Sequence, residues 1–173
     1  PFVRPAEWAT DEARSVDVVL HALDWLRRHE SVEPHVIVLL QPTAPLRFAE
    51  DIDRAVDLLI ESGADSVVSV SPIPAHHHPD WQLSIRDGRL VPWRGTPLSQ
   101  LPHRRQDLSP TFTRNGAIYA LRAEAVEATR SLYGEQTVAY PMAPDRSVNI
   151  DTEEDWQMAE LLLARQETRD AAA

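Results

Sequence analysis

The sequence has 173 residues, 43% of them hydrophobic and 25% charged, a composition typical of one globular domain with a real core. Its net charge of −10 at pH 7 argues against general binding of nucleic acids, because such binding needs basic residues to neutralise phosphates. Apolar runs such as residues 36–40 are far shorter than the roughly 18–20 residues that a membrane-spanning helix requires.

Two missing residue types narrow the chemistry further. There is no cysteine, which excludes disulfides, thiolate metal sites and a cysteine nucleophile, and together with the absence of a signal-like segment this favours a cytoplasmic protein. All 17 basic residues are arginine, so lysine-dependent chemistry is excluded, whereas binding of carboxylates and phosphates is not. The five glycines form no phosphate-binding loop and the chain begins at Pro1, so we interpret it as a fragment.

The first half of the chain predicts alternating helices and strands. Apolar spacing indicates a helix over Ser15–Arg28, and Pro34 precedes an apolar strand over His35–Leu40. A second helix is expected from Ala49 to Ser62, with Gly63 as its C-terminal stop, and a second strand over Asp65–Val70. A strand, a helix and a strand joined by short links predict a βαβ unit with parallel pairing.

The middle of the chain differs from what surrounds it. Seven of the 14 prolines fall between residues 72 and 110, so this span lacks the pattern of a regular core. Within it, alternating residues flank Asp87-Gly88, a strong hairpin signal. We therefore expect residues 72–112 to form an insertion, a dimerisation hairpin within a single α/β domain spanning 1–173. Trp81 and Trp93 are its candidate interface anchors.

The last third returns to regular elements. Residues 113–122 and 136–142 are predicted strands, with a short helix over 123–132 between them. A final helix begins at "DTEEDW", where Asp151 or Thr152 is the candidate cap and acidic residues complement the positive end of the helix.

The segment "QPTAPLR" after the first strand is the most informative loop. Ligands of open α/β sheets bind beyond the carboxyl ends of strands, where Gln41 and Thr43 would both donate and accept hydrogen bonds. Pro42 and Pro45 fix the backbone, so little ordering is needed when a ligand binds. A purely structural turn, in which Gln41 caps the next helix, remains an equal alternative on these grounds.

Four motifs in one order carry a family resemblance: "RPAEWATDEARSVDVVLHAL", "LLQPTAPLR", "RRQDL" followed by "RNGAIYA", and "NIDTEEDW". Together they resemble the acylneuraminate cytidylyltransferase family over nearly the whole chain. The resemblance implies transfer of CMP from CTP to the anomeric hydroxyl of a nine-carbon 2-keto sugar acid, of sialic, legionaminic or pseudaminic type. It also implies a Rossmann-like nucleotide-sugar transferase fold, with a mostly parallel sheet, helices on both faces, an inserted dimerisation hairpin, a homodimer and Mg²⁺.

The resemblance assigns roles to particular residues. Gln41 and Asp151 are its candidate catalytic residues, and Asp151 with Asn149 is its candidate metal site. Substrate contacts are expected at the following residues: Arg4, Ala13 and Ser15 along the CTP site, Gln41 and Thr43 between the two substrates, and Arg105 and Asn115 at the sugar acid or its neighbourhood. On the residues alone, Arg105 would also suit a solvated surface, Asn115 a turn, and Asp151 a helix cap.

The sequence also departs from the family. The family's N-terminal strand and its triphosphate-binding loop have no counterpart here, and Asn149-Ile150-Asp151 stands where Asp-x-Asp is frequent. Two alternatives to the full activity therefore remain open. One is a non-catalytic fragment or dimerising binding module, and the other is a cytidylyltransferase for a shorter keto-sugar acid.

Overall fold

The computed structural model describes residues 3–10 and 12–170 and divides the chain into two compact units. The first unit comprises the chain up to Val70 and from Arg114 onward, and the second is Ser71–Thr113. The helices and strands follow in chain order: α1 Ser15–Trp25, β1 Val36–Leu39, α2 Ala49–Ser62, β2 Ser66–Pro72, β3 Leu83–Arg86, β4 Arg89–Pro92, β5 Phe112–Arg122, α3 Ala123–Thr129, β6 Thr137–Pro141 and α4 Glu153–Asp170.

A four-stranded sheet in the order β1-β5-β2-β6 forms the centre of the first unit. This confirms an α/β fold. However, the predicted direct pairing of the first two strands is wrong, since β5 lies between them. Strand β1 pairs antiparallel with β5 and β2 pairs parallel with β6, so the sheet is mixed rather than mostly parallel. Strand β5 takes the inner position because it is buried from Asn115 to Leu121, which requires cover on both faces.

Helices cover both faces of this sheet, as predicted. Alternate residues of a strand point to opposite faces, so neighbouring residues of β5 enter different hydrophobic clusters. One cluster joins α1 and α3 to the sheet through Val16, Val19, Leu23, Val126, Tyr119 and Leu121; the other joins α2 through Ala55, Leu59, Val67, Ile118 and Ala120.

Among the described helices, none combines the length and apolar character needed to cross a bilayer.

The second unit contains the predicted hairpin. Strands β3 and β4 pair antiparallel, and both turn residues have positive φ, 50° at Asp87 and 74° at Gly88. Positive φ at both central residues is the geometry that the Asp-Gly signal predicts. Trp81 donates its indole N–H to the Pro102 carbonyl at 2.6 Å, whereas the Trp93 side chain is 74% exposed.

A buried carboxylate ties α2 to the distant end of the chain. Asp51 is 2% exposed and accepts hydrogen bonds from the Phe48 N–H at 2.9 Å and the Tyr140 hydroxyl at 3.0 Å. It also forms an ion pair with Arg146, whose guanidinium lies 5.0 Å from the centre of the Phe48 ring. Burial alone would raise the pKa of Asp51, but the hydrogen bonds from Phe48, Arg146 and Tyr140 outweigh it and lower that pKa.

We expect Asp51→Asn to lower the free energy of unfolding by about 2 kcal/mol at pH 7, because it removes one partner of a buried ion pair. A carboxyl group whose folded pKa is depressed stabilises the fold above its unfolded pKa, near 4, and that contribution is lost as the pH falls through the folded value. Urea unfolding from pH 7 to pH 3 should therefore show the two proteins converging in acid. Asp57→Asn, at an exposed position of the same helix, is the control; an equal loss in both variants would contradict this role.

Candidate active site

The side chain of Arg47 fixes the backbone conformation of the loop after β1. Its guanidinium donates to the carbonyls of Gln41, at 2.9 Å, and of Ala44, so one side chain satisfies two acceptors of the loop. Ala44 and Leu46 are 1% and 3% exposed and anchor the loop in the core. The Gln41 and Thr43 side chains are thus presented from a fixed backbone. Burial lowers the pKa of Arg47.

Thr43 connects this loop to the segment before α4. Its hydroxyl donates to Asn149 Oδ1 at 2.7 Å, and its carbonyl accepts the Ile150 N–H at 2.7 Å. Asn149 Nδ2 in turn donates to Asp151 Oδ2 at 2.6 Å. A continuous chain of hydrogen bonds therefore runs from the loop to the Asp151 carboxylate and fixes its direction.

The cap of α4 is made by residues other than Asp151. Thr152 Oγ1 accepts the Asp155 N–H at 3.2 Å, and Asp155 Oδ2 accepts the N–H groups of Asp151 and Thr152 at 3.1 and 3.0 Å. These bonds, the one from Asp151 first, lower the pKa of Asp155. Of the two candidate caps, Thr152 is the one used, and the exposed carboxylate of Asp151 is directed toward Asn149 instead.

Asn115 lies beneath the site, 3% exposed, with both ends of its amide engaged. Its oxygen accepts from Ser69 Oγ at 2.6 Å and from the Ala117 N–H at 3.1 Å, and its nitrogen donates to Ser147 Oγ at 2.9 Å. This network fixes the backbone around Gly116. Asn115 thus supports the site from below, and its expected contact with a substrate stays a prediction.

Gly116 allows two side chains to lie against the backbone of β5. Its φ is +73°, and a Cβ at this position would lie 2.5 Å from Gln41 Oε1 and 3.3 Å from Asn149 Oδ1. The positive φ therefore favours glycine, and any larger residue would require the end of the Gln41 side chain to move. Gly116 sets the separation between β5 and the residues that line the site.

Two cavities meet at these residues. The larger has a volume of about 580 Å³ and the smaller about 400 Å³, both within the range usual for small-molecule sites. Ser15, Gln41 and Asn149 line both cavities. Eight of the residues proposed from the sequence are brought together here: Arg4, Ala13, Ser15, Gln41, Thr43, Asn149 and Asp151 around the smaller cavity, and Asn115 in the larger.

Arg105 is the one proposed site residue outside this set. It belongs to the second unit, where it begins a short 3₁₀ turn and lines a cavity of about 200 Å³ together with His78. His78 is 3% exposed, with Nε2 3.0 Å from the Ser109 carbonyl and Nδ1 accepting the Asp80 N–H at 3.1 Å. The role of Arg105 stays a prediction.

Several known proteins are similar to this chain in sequence. A CMP-N,N'-diacetyllegionaminic acid synthase of Legionella pneumophila is 34% identical over 173 residues, covering 94% of this chain and 68% of its own length. The chain belongs to the acylneuraminate cytidylyltransferase family. An N-acylneuraminate cytidylyltransferase of Streptococcus agalactiae serotype V is 33% identical over 155 residues, which are 89% of this chain but 35% of that protein. The chain thus spans from about a third to about two thirds of these relatives, and no family model matches it.

A solved structure agrees with the fold. CMP:2-keto-3-deoxy-manno-octonic acid synthetase, solved in complex with CTP, superposes with a TM-score of 0.59 over 90% of this chain and 70% of its own. Its sequence identity of 14% makes this a likeness of fold alone. The superposition places the sheet and helices of this chain within the nucleotidyltransferase fold.

Several residues of the larger cavity were not identified from the sequence. They are Arg14, Arg114, Arg130, Tyr119 and Tyr133. The two tyrosine rings meet edge to face, with centroids 6.4 Å apart, and burial raises the pKa of Tyr119. Arg14 adjoins the proposed Ser15, but nothing in the sequence pattern distinguishes these arginines from solvated ones.

We expect Gly116→Ala to lower the free energy of unfolding by about 1–3 kcal/mol, because any side chain is strained at a positive φ and the Gln41 side chain must also move away from the new Cβ. Gly63→Ala is the matched control: Gly63 has φ +66° but open space where its Cβ would be, so it should cost only about 1–2 kcal/mol. Chemical unfolding of both variants measures the difference. Equal losses would mean that Gln41 does not need the close approach.

Proposed function

We propose that the protein transfers CMP from CTP to the anomeric hydroxyl of a nine-carbon 2-keto sugar acid. The hydroxyl oxygen attacks the α-phosphorus, the bond to the β-phosphate breaks, and pyrophosphate and a proton are released. The relatives' names support the reaction class, and the names N-acylneuraminate and N,N'-diacetyllegionaminic acid support a nine-carbon acid. We propose the cytoplasm as its location.

One observation carries this proposal: eight of the nine residues that the family resemblance assigns to the site line two cavities that share a wall. Arg4, Ala13 and Thr43 belong to the smaller cavity, which we assign to CTP. The larger cavity then takes the sugar acid. Transfer between two bound molecules requires such a shared boundary, because the reacting atoms must approach to about 3–3.5 Å.

At that boundary Gln41 acts as a positioning group. Its amide is neutral, so it orients a hydroxyl or a phosphate oxygen by hydrogen bonds without taking up a proton. Arg47 fixes the backbone of Gln41 by donating to its carbonyl. Gly116, which has no side chain, leaves the space that the Gln41 side chain occupies. We also propose, from the family resemblance, that Arg105 contacts the sugar acid through its planar guanidinium.

The donor set around Asp151 fits Mg²⁺ bound together with a nucleotide. Among the described residues there is no group of three or more histidine, aspartate or glutamate side chains that would enclose an ion. Magnesium commonly binds through one or two carboxylates plus substrate phosphates and keeps several waters, which an exposed Asp151 allows. When bound, the ion would stabilise charge on the departing pyrophosphate. Asn149 would orient the Asp151 carboxylate, or bind the ion through its own oxygen.

The full-length protein, incubated with CTP, Mg²⁺ and a panel of sugar acids, tests this proposal. N-acylneuraminic, diacetyllegionaminic and pseudaminic acids represent the nine-carbon class, and 2-keto-3-deoxy-manno-octonic acid represents a shorter one. We expect CMP-sugar and pyrophosphate from at least one nine-carbon acid. Turnover of the eight-carbon acid alone would correct the substrate class, and no turnover with any acid would favour a binding module.

In the same assay, Asp151→Asn should lower kcat/KM by about 100-fold, equal to roughly 2.7 kcal/mol of transition-state stabilisation. Its free energy of unfolding should hardly change, because Thr152 and Asp155 form the helix cap. Glu153→Gln, at an exposed position of the first turn of α4, is the control. Normal turnover by Asp151→Asn across a magnesium titration would remove Asp151 from the site.

We also propose a homodimer formed through the second unit. Ile85, Leu90 and Trp93 of its hairpin region are 75%, 54% and 74% exposed, and apolar side chains in such numbers are typical of an interface. Light scattering of the purified protein at micromolar concentration should give twice the chain mass. Trp93→Arg should shift that mass toward the monomer, and an unchanged dimer would exclude Trp93 as an anchor.

A further inference from the structure

The larger cavity concentrates positive charge in an acidic protein. Three arginines line it, Arg14, Arg114 and Arg130, and its described lining contains no aspartate or glutamate. The chain as a whole carries a net charge of −10. The positive charge of these side chains attracts anions and oxygen acceptors, although the net negative charge of the whole protein repels anions.

Two of these arginines share one buried carboxylate. Arg14 donates to Asp17 through Nε at 2.7 Å and Nη2 at 2.9 Å, and Arg130 Nη2 lies 3.5 Å from Asp17 Oδ1. The Asp17 side chain is 8% exposed, whereas those of Arg14 and Arg130 are 66% and 64% exposed. The hydrogen bonds from Arg14 lower the pKa of Asp17, so it stays ionised and orients both guanidinium groups.

The backbone of Arg130 supplies an independent observation. Arg130 ends α3 in the left-handed conformation, with φ +49° and ψ +40°. Helices that end in this way usually have glycine there, because a side chain makes the conformation unfavourable. Arg130 occupies this position although glycine would suit the backbone better, and its side chain lies at the cavity.

We propose that Arg14 and Arg130, oriented by Asp17, donate charge-assisted hydrogen bonds to an oxygen-acceptor group of the sugar acid in the larger cavity. These three residues then help to select the acid. The inference rests on the proposed function. Two groups of such an acid share the required chemistry: its carboxylate, and the carbonyl of an acyl-amino substituent. A planar guanidinium suits either acceptor.

The decisive variant is Arg130→Gly, which removes the guanidinium while placing the preferred residue at the left-handed position. Its melting temperature should stay equal to that of the unsubstituted full-length protein or rise. Its KM for the sugar acid should rise by about tenfold at saturating CTP, the size expected for one charge-assisted hydrogen bond. Its KM for CTP should not change.

Asp17 is a positioning residue, so a double-mutant cycle tests its part. Asp17→Asn should raise the sugar KM, and combining it with Arg130→Gly should add less than the two separate effects, since both act on one contact. Arg28→Ala is the matched control: Arg28 is an exposed arginine that also pairs with an aspartate, Asp24, at 2.8 Å, but it lines neither cavity. It should leave both KM values unchanged.

Two acids distinguish the two acceptor groups: an N-acylated nonulosonic acid, and the deaminated acid with a hydroxyl in place of the acyl-amino group. An equal rise in KM for both would assign the arginines to the carboxylate, and a rise for the N-acylated acid alone would assign them to the acyl carbonyl. A sugar KM unchanged relative to Arg28→Ala, or a rise in the KM for CTP instead, would overturn the inference. If the unsubstituted protein turned over no acid at all, the proposed function would fail together with it.

Discussion

The contact between Thr43 and the segment 149–151 is the constraint on which the site depends. It joins distant parts of the chain through a side-chain bond of 2.7 Å between Thr43 and Asn149, 106 positions apart, and a backbone bond of 2.7 Å between Thr43 and Ile150. Without it, the loop after β1 and the start of α4 would be two independent surface segments. With it, Gln41, Thr43, Asn149 and Asp151 form one continuous rim of the smaller cavity, and Gln41 and Asn149 also line the larger one. Pairs of bonds of this kind contribute only about 1–3 kcal/mol, yet they fix the relative position of the groups that chemistry requires.

Beneath this rim the sheet carries polar groups that are almost completely buried. Ser69 donates to Asn115 and accepts the Ile118 N–H at 2.8 Å, and Asn115 extends the network to Ser147. Each donor and acceptor is satisfied, so the network stabilises one arrangement instead of costing the desolvation of an unpaired group. It holds Gly116 beside Gln41, so this part of the larger cavity is shaped from inside the sheet.

The sequence predicted local elements well because their signals are local. Apolar periodicity, Gly63 and Asp87-Gly88 each act within a few residues, and the helices, strands and hairpin lie close to where these signals put them. Strand pairing is different. Strand β5 follows β1 by more than 70 residues, and only its burial on both faces explains why it lies between β1 and β2. Eight of the residues that the family resemblance assigns to the site line the two cavities, and the loop pattern by itself had already indicated two of them, Gln41 and Thr43. Asp51 and Arg130 carried no signal, since burial and a left-handed backbone are properties of the folded chain.

The chain has arginine and no lysine, so its permanent positive charges lie on planar guanidinium groups, which donate hydrogen bonds in fixed directions. The guanidinium of Arg14 makes two bonds to Asp17 and remains two thirds exposed, which leaves N–H groups directed elsewhere. An ammonium group at this position would bind the same carboxylate as a point charge, without the planar fork. Arg47 uses the same property inside the loop, where one side chain reaches two carbonyls. Arginine therefore both fixes the loop after β1, through Arg47, and lines the larger cavity, through Arg14. In a protein of net charge −10, this produces a locally positive surface at the larger cavity.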